Sequence, residues 1–219
     1  MRKFILLAIT VFTVLITTAQ DFSNKGKDFW LTYPAHNAGT TSRMALYLTS
    51  DVSTSGTVQF NGNTIPFVIT ANQTTVVRIG NSTFPSNFSC YISSNNVVEV
   101  NKGIHITALK SIVAYAHILN SAVSGSTLLL PKNVLGREYI VSSYVPQGST
   151  YGMEKCQFDI VGVENNTTVE ITPINSDISG AHPAGVPFQI TLNQGDVYQY
   201  QSYDELSGTK VTSISNGGS

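Results

Sequence analysis

The sequence contains few charged residues and no cluster of basic ones. Asp, Glu, Lys and Arg make up 11% of the 219 residues, whereas an average soluble protein has roughly 25%. The formal net charge is −1. Nucleic-acid binding requires a basic surface, so this composition argues against a nucleic-acid partner. Asn, Ser, Thr and Gly take the place of the charges, which is common in extracellular β modules.

Long apolar runs are also absent, except at the N-terminus. Arg2 and Lys3 precede the apolar run Phe4–Ile16, and small residues follow as far as Ala19. This order is typical of a secretory signal peptide. The run is shorter than the ~20 residues of a membrane-spanning helix, so we favour a signal peptide over an anchor. We predict a signal peptide over residues 1–19, cleavage after Ala19, and a secreted or cell-surface chain without a membrane span.

Cysteine is scarce, with only Cys90 and Cys156 in the chain. Export permits a disulfide, so a bridge between the two is possible. Both lie in segments of alternating apolar residues, and free cysteine is among the most buried residue types. Two buried free thiols are therefore the favoured interpretation.

The sequence lacks the motifs of common active sites. Neither a G-x-S-x-G elbow nor an S-x-x-K motif is present, and no Gly-rich loop leads into a helix that would bind a nucleotide. His105 and His117 lack a third ligand at metal-binding spacing. We predict that the protein is not an enzyme and that it holds no metal or cofactor.

The most informative feature present is an internal repeat. Pro66–Gln73 recurs as Pro187–Gln194, and in both copies apolar residues alternate and then run into an Asn-Gln turn. This pattern predicts a strand followed by a turn. Further blocks match in the same order, with shifts that loops can absorb. They are Gly26–Leu31 with Gly136–Val141, Met44–Leu48 with Cys156–Ile160, Thr57–Phe60 with Thr168–Ile171, Thr75–Ile79 with Asp196–Tyr200, and Gly103–Thr107 with Gly208–Thr212.

The repeat and the absence of any helical stripe predict an all-β fold. We expect two tandem homologous antiparallel β-sandwich modules, over residues 20–121 and 126–219. The first copy has one more strand, Ser111–His117, which we expect to follow a tight turn at Leu109–Lys110. The second copy has no counterpart of this strand before Ser219. We therefore predict that the second module is incomplete and that the chain is a piece of a longer protein.

Six segments each carry strand and turn signals. Their combination is more specific to one family than any single segment is. They are Lys102–Thr107, Lys110–Tyr115, Leu130–Tyr139, Glu164–Pro173, Leu192–Tyr200 and Leu206–Val211. Together they resemble the IgGFc-binding protein N-terminal domain. The resemblance implies a secreted β-rich module, part of long surface proteins in bacteria and of mucus-associated proteins in animals. It implies neither antibody binding by this chain nor any particular ligand residue.

Acidic and aromatic residues are the remaining candidates for a site. Asp28 and Glu138 occupy matching places in the two copies, so they do not converge on one bond as a glycosidase pair must. Trp30 matches Ile140, which favours a core position. Matched loops contain the candidate ligand-binding residues, for which plain loop or core roles are the alternative: Tyr33, His36, Tyr144 and Tyr151.

These observations predict a non-catalytic adhesion or binding module of an extracellular or cell-surface protein. Its partner would be a protein or a glycan outside the cell, bound through end loops or through unpaired strand edges. The alternative is a carbohydrate-binding accessory module of a secreted hydrolase.

Overall fold

The computed structural model describes most of the chain. The described residues are 23–36, 42–79, 90, 92, 94–120, 123–144 and 155–215. The predicted signal peptide, its cleavage position after Ala19, and Tyr151 lie outside these residues. None of the described residues belongs to a helix of the length and apolarity that crossing a bilayer requires.

The described residues are almost entirely strand, turn and loop, which confirms the predicted all-β fold. A short 3-10 helix spans Lys132–Val134. The strands are β1 (Gly26–Leu31), β2 (Arg43–Thr49), β3 (Thr54–Phe60), β4 (Asn63–Ile69), β5 (Thr74–Ile79), β6 (Val98–Glu99), β7 (Ile104–Asn120), β8 (Val123–Leu128), β9 (Glu138–Ile140), β10 (Cys156–Val161), β11 (Thr167–Thr172), β12 (Phe188–Leu192), β13 (Val197–Ser202) and β14 (Lys210–Ser215).

The long strand β7 belongs to two sheets of the first sandwich. Near its start, Thr107 pairs with Asp28 of β1 and Thr57 of β3. Further along, Tyr115 pairs with Tyr47 of β2 and with β8. One sheet thus has the order β4-β3-β7-β1 and the other has the order β5-β2-β7-β8. All of these pairings are antiparallel.

The tight turn predicted at Leu109–Lys110 is wrong, because β7 continues through these residues without a break. Residues 109–111 are exposed where the strand leaves one sheet and joins the next. The backbone N–H of Lys110 donates to Thr54 Oγ1 at 3.0 Å, which supports the extended chain at this crossing. A run of exposed residues looks like a turn in sequence, although here it marks a change of sheet.

The inner faces of the two sheets share one apolar core. Val58 and Ile106 come from the first sheet, Leu46 and Ala114 come from the second, and all four are fully buried. Side chains of the two inner faces interdigitate in this way in β-sandwiches. Burial of these apolar surfaces is the main stabilising contribution.

The second set of strands repeats the pairing pattern of the first. β11 pairs with β12 and β14, as β3 pairs with β4 and β7. β9 pairs with β14 as β1 pairs with β7, and β10 pairs with β13 as β2 pairs with β5. The repeated pairing is consistent with the predicted tandem modules. The domain limits at 20–121 and 126–219 remain a prediction.

Two short segments connect the sets of strands across these limits. β8 (Val123–Leu128) contains the predicted limit at 126 and pairs with β7. β6 lies within the first predicted module, yet Val98 pairs with Tyr198 of β13. Next to it, Asn96 Oδ1 accepts a hydrogen bond from the hydroxyl of Tyr198 at 2.9 Å. Residues that precede β7 therefore extend a sheet of the second set.

Both cysteines are free and buried. The Sγ atom of Cys90 lies 3.3 Å from Met44 Sδ, and Cys156 Sγ donates to the carbonyl oxygen of Tyr144 at 3.0 Å. Burial raises the pKa of the Cys90 thiol to about 12. Since the thiolate is the reactive form of cysteine, the Cys90 thiol has low reactivity.

Substitution of Gly56 by Ala is expected to destabilise the first sandwich. A Cβ atom on Gly56 would lie 2.0 Å from the carbonyl oxygen of Thr107, so β3 and β7 would have to separate. Forcing extra atoms into a packed interior typically costs about 1–3 kcal/mol. Urea denaturation should show a loss of that size in the free energy of unfolding. Gly125→Ala is the matched control, because its nearest contact would be 3.7 Å away; equal losses in both variants would contradict the prediction.

Candidate functional site

An apolar groove lies between the two sheets of the second set. In the first sandwich, the second half of β7 pairs with the edge of β2, and β8 pairs with the other edge of that half. The described residues of the second set contain no strand at the matching place beside β10. The groove left there has a volume of about 470 Å³. Its apolar lining comes from both sheets: Tyr139, Val141, Phe158, Ile160, Val169 and Val211.

The outer edge of β10 faces this groove. Residues 158–161 are consecutive and all line it, although side chains alternate between the two faces of a strand. A groove that contacts both faces must run along the strand's edge. The opposite edge of β10 is occupied by β13.

Backbone groups of β10 point toward the groove at alternate residues. The N–H of Gly162 donates to the carbonyl oxygen of Asp196 at 2.9 Å, toward β13. Because backbone groups alternate in direction along an extended strand, those of Gln157, Asp159 and Val161 point the other way. No strand among the described residues pairs with this edge. The groove therefore has apolar walls and a row of backbone donors and acceptors at its side.

Asp159 places a buried carboxyl beside the groove. Its Oδ1 accepts a hydrogen bond from Gln199 Nε2 at 2.9 Å, whereas its Oδ2 is buried and has no partner among the described residues. Burial raises the pKa of Asp159 to about 7, and the nearby Glu99 carboxylate adds to the rise. A buried carboxylate without full hydrogen bonding is costly, so this side chain favours an added hydrogen-bond donor.

An ion pair joins the two sides of the groove's rim. Lys132 Nζ lies 3.3 Å from Glu164 Oε1, and both side chains are partly exposed. The pair connects the 3-10 helix to the loop that follows β10. Partly exposed pairs of this kind contribute at most about 1 kcal/mol, so the rim is held mainly by the strands beneath it.

Trp30 lines the groove from the first set of strands and also lines a second cavity. The predicted core position of Trp30 is wrong, because Phe29 and Leu31 face the core and Trp30 faces the opposite side. The matched residue Ile140 is 65% exposed, so both lie on outer faces. The indole stacks on the His105 ring with centroids 4.0 Å apart, and His105 Nε2 lies 2.9 Å from Asp28 Oδ1.

The second cavity is polar and smaller than the groove. Its volume is about 320 Å³, and turns from both sets of strands line it. Trp30 and His105 form its aromatic side. Amide side chains form much of the rest: Asn61, Asn63, Asn101 and Gln194. Trp30 Nε1 is buried and has no hydrogen-bond partner among the described residues.

The predicted ligand-binding residues have different environments. Tyr33 is 2% exposed in the first core, where its hydroxyl donates to the carbonyl oxygen of Ala45 at 2.9 Å. His36 is half-buried with Nδ1 2.7 Å from Ser42 Oγ, and burial lowers its pKa. Tyr144 is 79% exposed. Ligand contact by these residues remains a prediction, as does that by Tyr151.

The structure brings two of the predicted loops to the start of β10. Gln157 Nε2 donates to the carbonyl oxygen of Ala35 at 2.6 Å, and Cys156 Sγ donates to that of Tyr144 at 3.0 Å. The loops that contain His36 and Tyr144 therefore adjoin neighbouring residues of one strand. The next residue along the strand, Phe158, lines the groove.

Sequence reasoning missed the groove and Asp159. A signal for the groove was present, because the second copy lacks a counterpart of Ser111–His117. Among the described residues, no strand covers the corresponding face of the second set. A signal for Asp159 was the placement of a carboxylate between Phe158 and Ile160 in an otherwise neutral strand.

Residues 125–217 match the family described as IgGFc binding protein. This segment contains β9 to β14, and so most of the groove lining. The match confirms the predicted resemblance over this part of the chain. No curated protein and no solved structure matches the chain.

Asp159→Asn is expected to raise stability progressively between about pH 4 and pH 7. The ordinary pKa of the group is 3.8 and burial raises it to about 7 in the folded protein. Between these values the unfolded state ionises while the folded state keeps its proton, so the wild-type protein loses stability as pH rises. The difference in melting temperature between variant and wild type should grow over this window and then level off.

Asp204→Asn is the control for removing one carboxylate, because Asp204 is exposed in the loop after β13. Melting curves of all three proteins at several pH values provide the measurement. A difference for Asp159→Asn that stays constant from pH 4 to pH 8 would contradict the assignment of a buried, protonated carboxyl.

Proposed function

We propose, with the match of residues 125–217 to the IgGFc binding protein family as premise, that this protein is a non-catalytic extracellular binding module. It acts in adhesion, as part of a longer secreted or cell-surface protein, and its ligand is a protein outside the cell. The family is described as IgGFc binding protein, so its description names the binding of a protein, the Fc part of immunoglobulin G. The apolar N-terminal run and the low charge of the chain support export.

The observation that carries this proposal is the apolar groove of the described residues, with exposed aromatic side chains in its wall. Soluble proteins rarely leave contiguous apolar surface open unless it binds something. Tyr139 is 46% exposed and lines the groove together with Trp30. Tyrosine and tryptophan are the residues that most often anchor protein interfaces. A protein segment is therefore the ligand that these walls suit best.

A second candidate is a carbohydrate-binding accessory module of a secreted hydrolase. The second cavity favours it, because an indole and an imidazole face amide side chains there. Aromatic rings pack against apolar faces of ligands, and amides offer both donors and acceptors to hydroxyl groups. This cavity and the groove share Trp30, so single substitutions elsewhere separate the two candidates.

Binding of the purified protein to a panel of immobilised extracellular proteins, including immunoglobulin Fc fragments, tests the leading proposal. Tyr139→Ala should weaken a protein ligand about tenfold or more, since loss of an interface anchor costs more than 1 kcal/mol. Tyr203→Ala is the matched control, because Tyr203 is 60% exposed and lines neither cavity. Equal weakening by both variants would contradict a ligand in the groove.

A glycan array with the same proteins tests the second candidate. Binding in the polar cavity should be lost in Asn63→Ala and retained in Tyr139→Ala. Loss in Tyr144→Ala would instead support the loop residues predicted from the sequence. Sugar-specific binding without any protein ligand would overturn the leading proposal.

A further inference from the structure

The outer face of the sheet β5-β2-β7-β8 carries an unbroken row of exposed apolar side chains. Tyr47 pairs with Val76 on one side and with Tyr115 on the other, and Tyr115 pairs with Leu128. Side chains of directly paired residues lie next to each other on the same face of a sheet. These four side chains are between 37% and 42% exposed. The row therefore crosses all four strands on the side that faces away from the first core.

Positive charge flanks this row on one side. Arg78 pairs with Ala45, which lies two residues before Tyr47 on the same face of β2. Arg43 follows two residues further along that face. Both arginines are exposed, and neither forms an ion pair with any described residue. Because diagonal neighbours on adjacent strands lie about 7–8 Å apart, one anionic group can reach both guanidinium groups.

The same face holds no carboxylate that would neutralise the arginines. Not one Asp or Glu occurs in β2, β5, β7 or β8. Hydroxyl side chains occupy much of the remaining face: Thr49, Thr74, Ser124 and Ser126. We name the surface the tyrosine face, and its central residues are Arg43, Tyr47, Val76, Arg78, Tyr115 and Leu128. It combines two aromatic rings, two permanent positive charges and hydroxyl groups.

The repeat shows that the fold does not require this chemistry. At the matching place in the second set, Gln157 and Asp159 of β10 pair with Gln201 and Gln199 of β13. Gln199 and Gln201 are buried and are joined by a hydrogen bond of 2.8 Å. The second set thus has a buried polar network where the first set has an exposed aromatic row. Exposed tyrosines and arginines are therefore not a requirement of this strand arrangement.

From this combination we infer that the tyrosine face binds an acidic oligosaccharide, with sugar rings against the tyrosines and carboxylate or sulfate groups at the arginines. Aromatic rings pack against apolar faces of ligands, and the face of a sugar ring that carries C–H groups is apolar. Guanidinium groups bind oxyanions through paired hydrogen bonds. The inference goes beyond the proposed function, because it assigns a second ligand to a surface that shares no residue with the groove.

The size of the tyrosine face favours an oligosaccharide over a protein surface. Four strands about 4.8 Å apart, with a length of about 20 Å between Arg43 and Thr49, give roughly 300 Å² in projection. A stable protein interface buries about 800 Å² on each partner. A second copy of the chain meets the same limit. Nucleic acids require a larger basic surface than two arginines provide, whereas a short chain of sugars fits along the row.

An oligomer of galacturonic acid serves as the probe, and its fully methyl-esterified form is the neutral control. Isothermal titration calorimetry on the purified protein should show that the acid form binds at least tenfold more tightly than the ester. Added salt should weaken the acid form only, because salt screens exposed charges. A sulfated dextran, with unsulfated dextran as its control, tests the other anionic group. Preferential binding of either acidic probe supports the inference and identifies the group that the arginines accept.

Substitutions on the protein assign the binding to the tyrosine face. Tyr115→Val keeps a β-branched residue in the strand and removes the ring, so it should weaken binding at least tenfold, whereas Tyr115→Phe retains the ring and should bind nearly as the wild type does. Arg78→Gln should weaken the acidic probe about tenfold. Lys27→Gln removes an exposed cation of β1 and should have no effect. Melting temperatures check that all four variants fold.

Four results would overturn the inference. They are equal affinity for each acidic probe and its neutral control, equal losses in Arg78→Gln and Lys27→Gln, loss in Asn63→Ala with retention in Tyr115→Val, and binding of neither acidic probe. The third result would place the sugar in the polar cavity beside Trp30.

The protein ligand gives the proposed function a readout of its own. If neither acidic probe binds while Tyr139→Ala weakens a protein ligand, the proposed function stands and the oligosaccharide site falls. If an acidic probe binds at the tyrosine face and no extracellular protein binds, the proposed function falls instead. A protein ligand that is lost in Tyr115→Val would make the tyrosine face a protein interface and would overturn the inference.

Discussion

The pairing of β7 with four other strands holds the first sandwich together. Ile104 and Ile106 complete the inner face of one sheet, while Ile112 and Ala114 complete that of the other. A single extended backbone therefore supplies both layers of one core. The arrangement depends on residues 109–111 staying extended while they leave one sheet for the next. It explains why β2 has neighbours on both edges and why the first core is closed.

Among the described residues, the second set of strands repeats every pairing of the first except the two made by the second half of β7, with β2 and with β8. The consequences follow directly from that difference. Val141 and Val211 face a groove, whereas Ile112 and Ala114 close the core of the first sandwich. No described strand pairs with the outer edge of β10, while β2 has a partner on each edge. Exposed edges and apolar surface favour association with other chains. The uncovered face of the described strands thus accounts for the cavity and its apolar lining.

A carboxyl group and an indole ring lie among the apolar residues that line this groove. Asp159 lies where a neutral tyrosine stands in the first copy, and its burial makes protonation favourable near pH 7. Trp30 approaches from the first set of strands and is held against His105. Neither feature is needed to close a core. Both put a functional group, a carboxyl or an indole ring, at a surface that would be buried if this sandwich had a closed apolar core.

The alternation of apolar residues and the internal repeat were enough to predict an all-β chain and the positions of most strands. Only the tertiary structure decided which face of a strand points inward and which edges are paired. Trp30 lies outside the core, Tyr33 lies inside it, and Leu109–Lys110 is extended. A period of two in the sequence divides a strand into two faces, but it does not show which of the two faces is buried. Pairing depends on contacts between residues as distant as Tyr47 and Tyr115, which no local pattern contains.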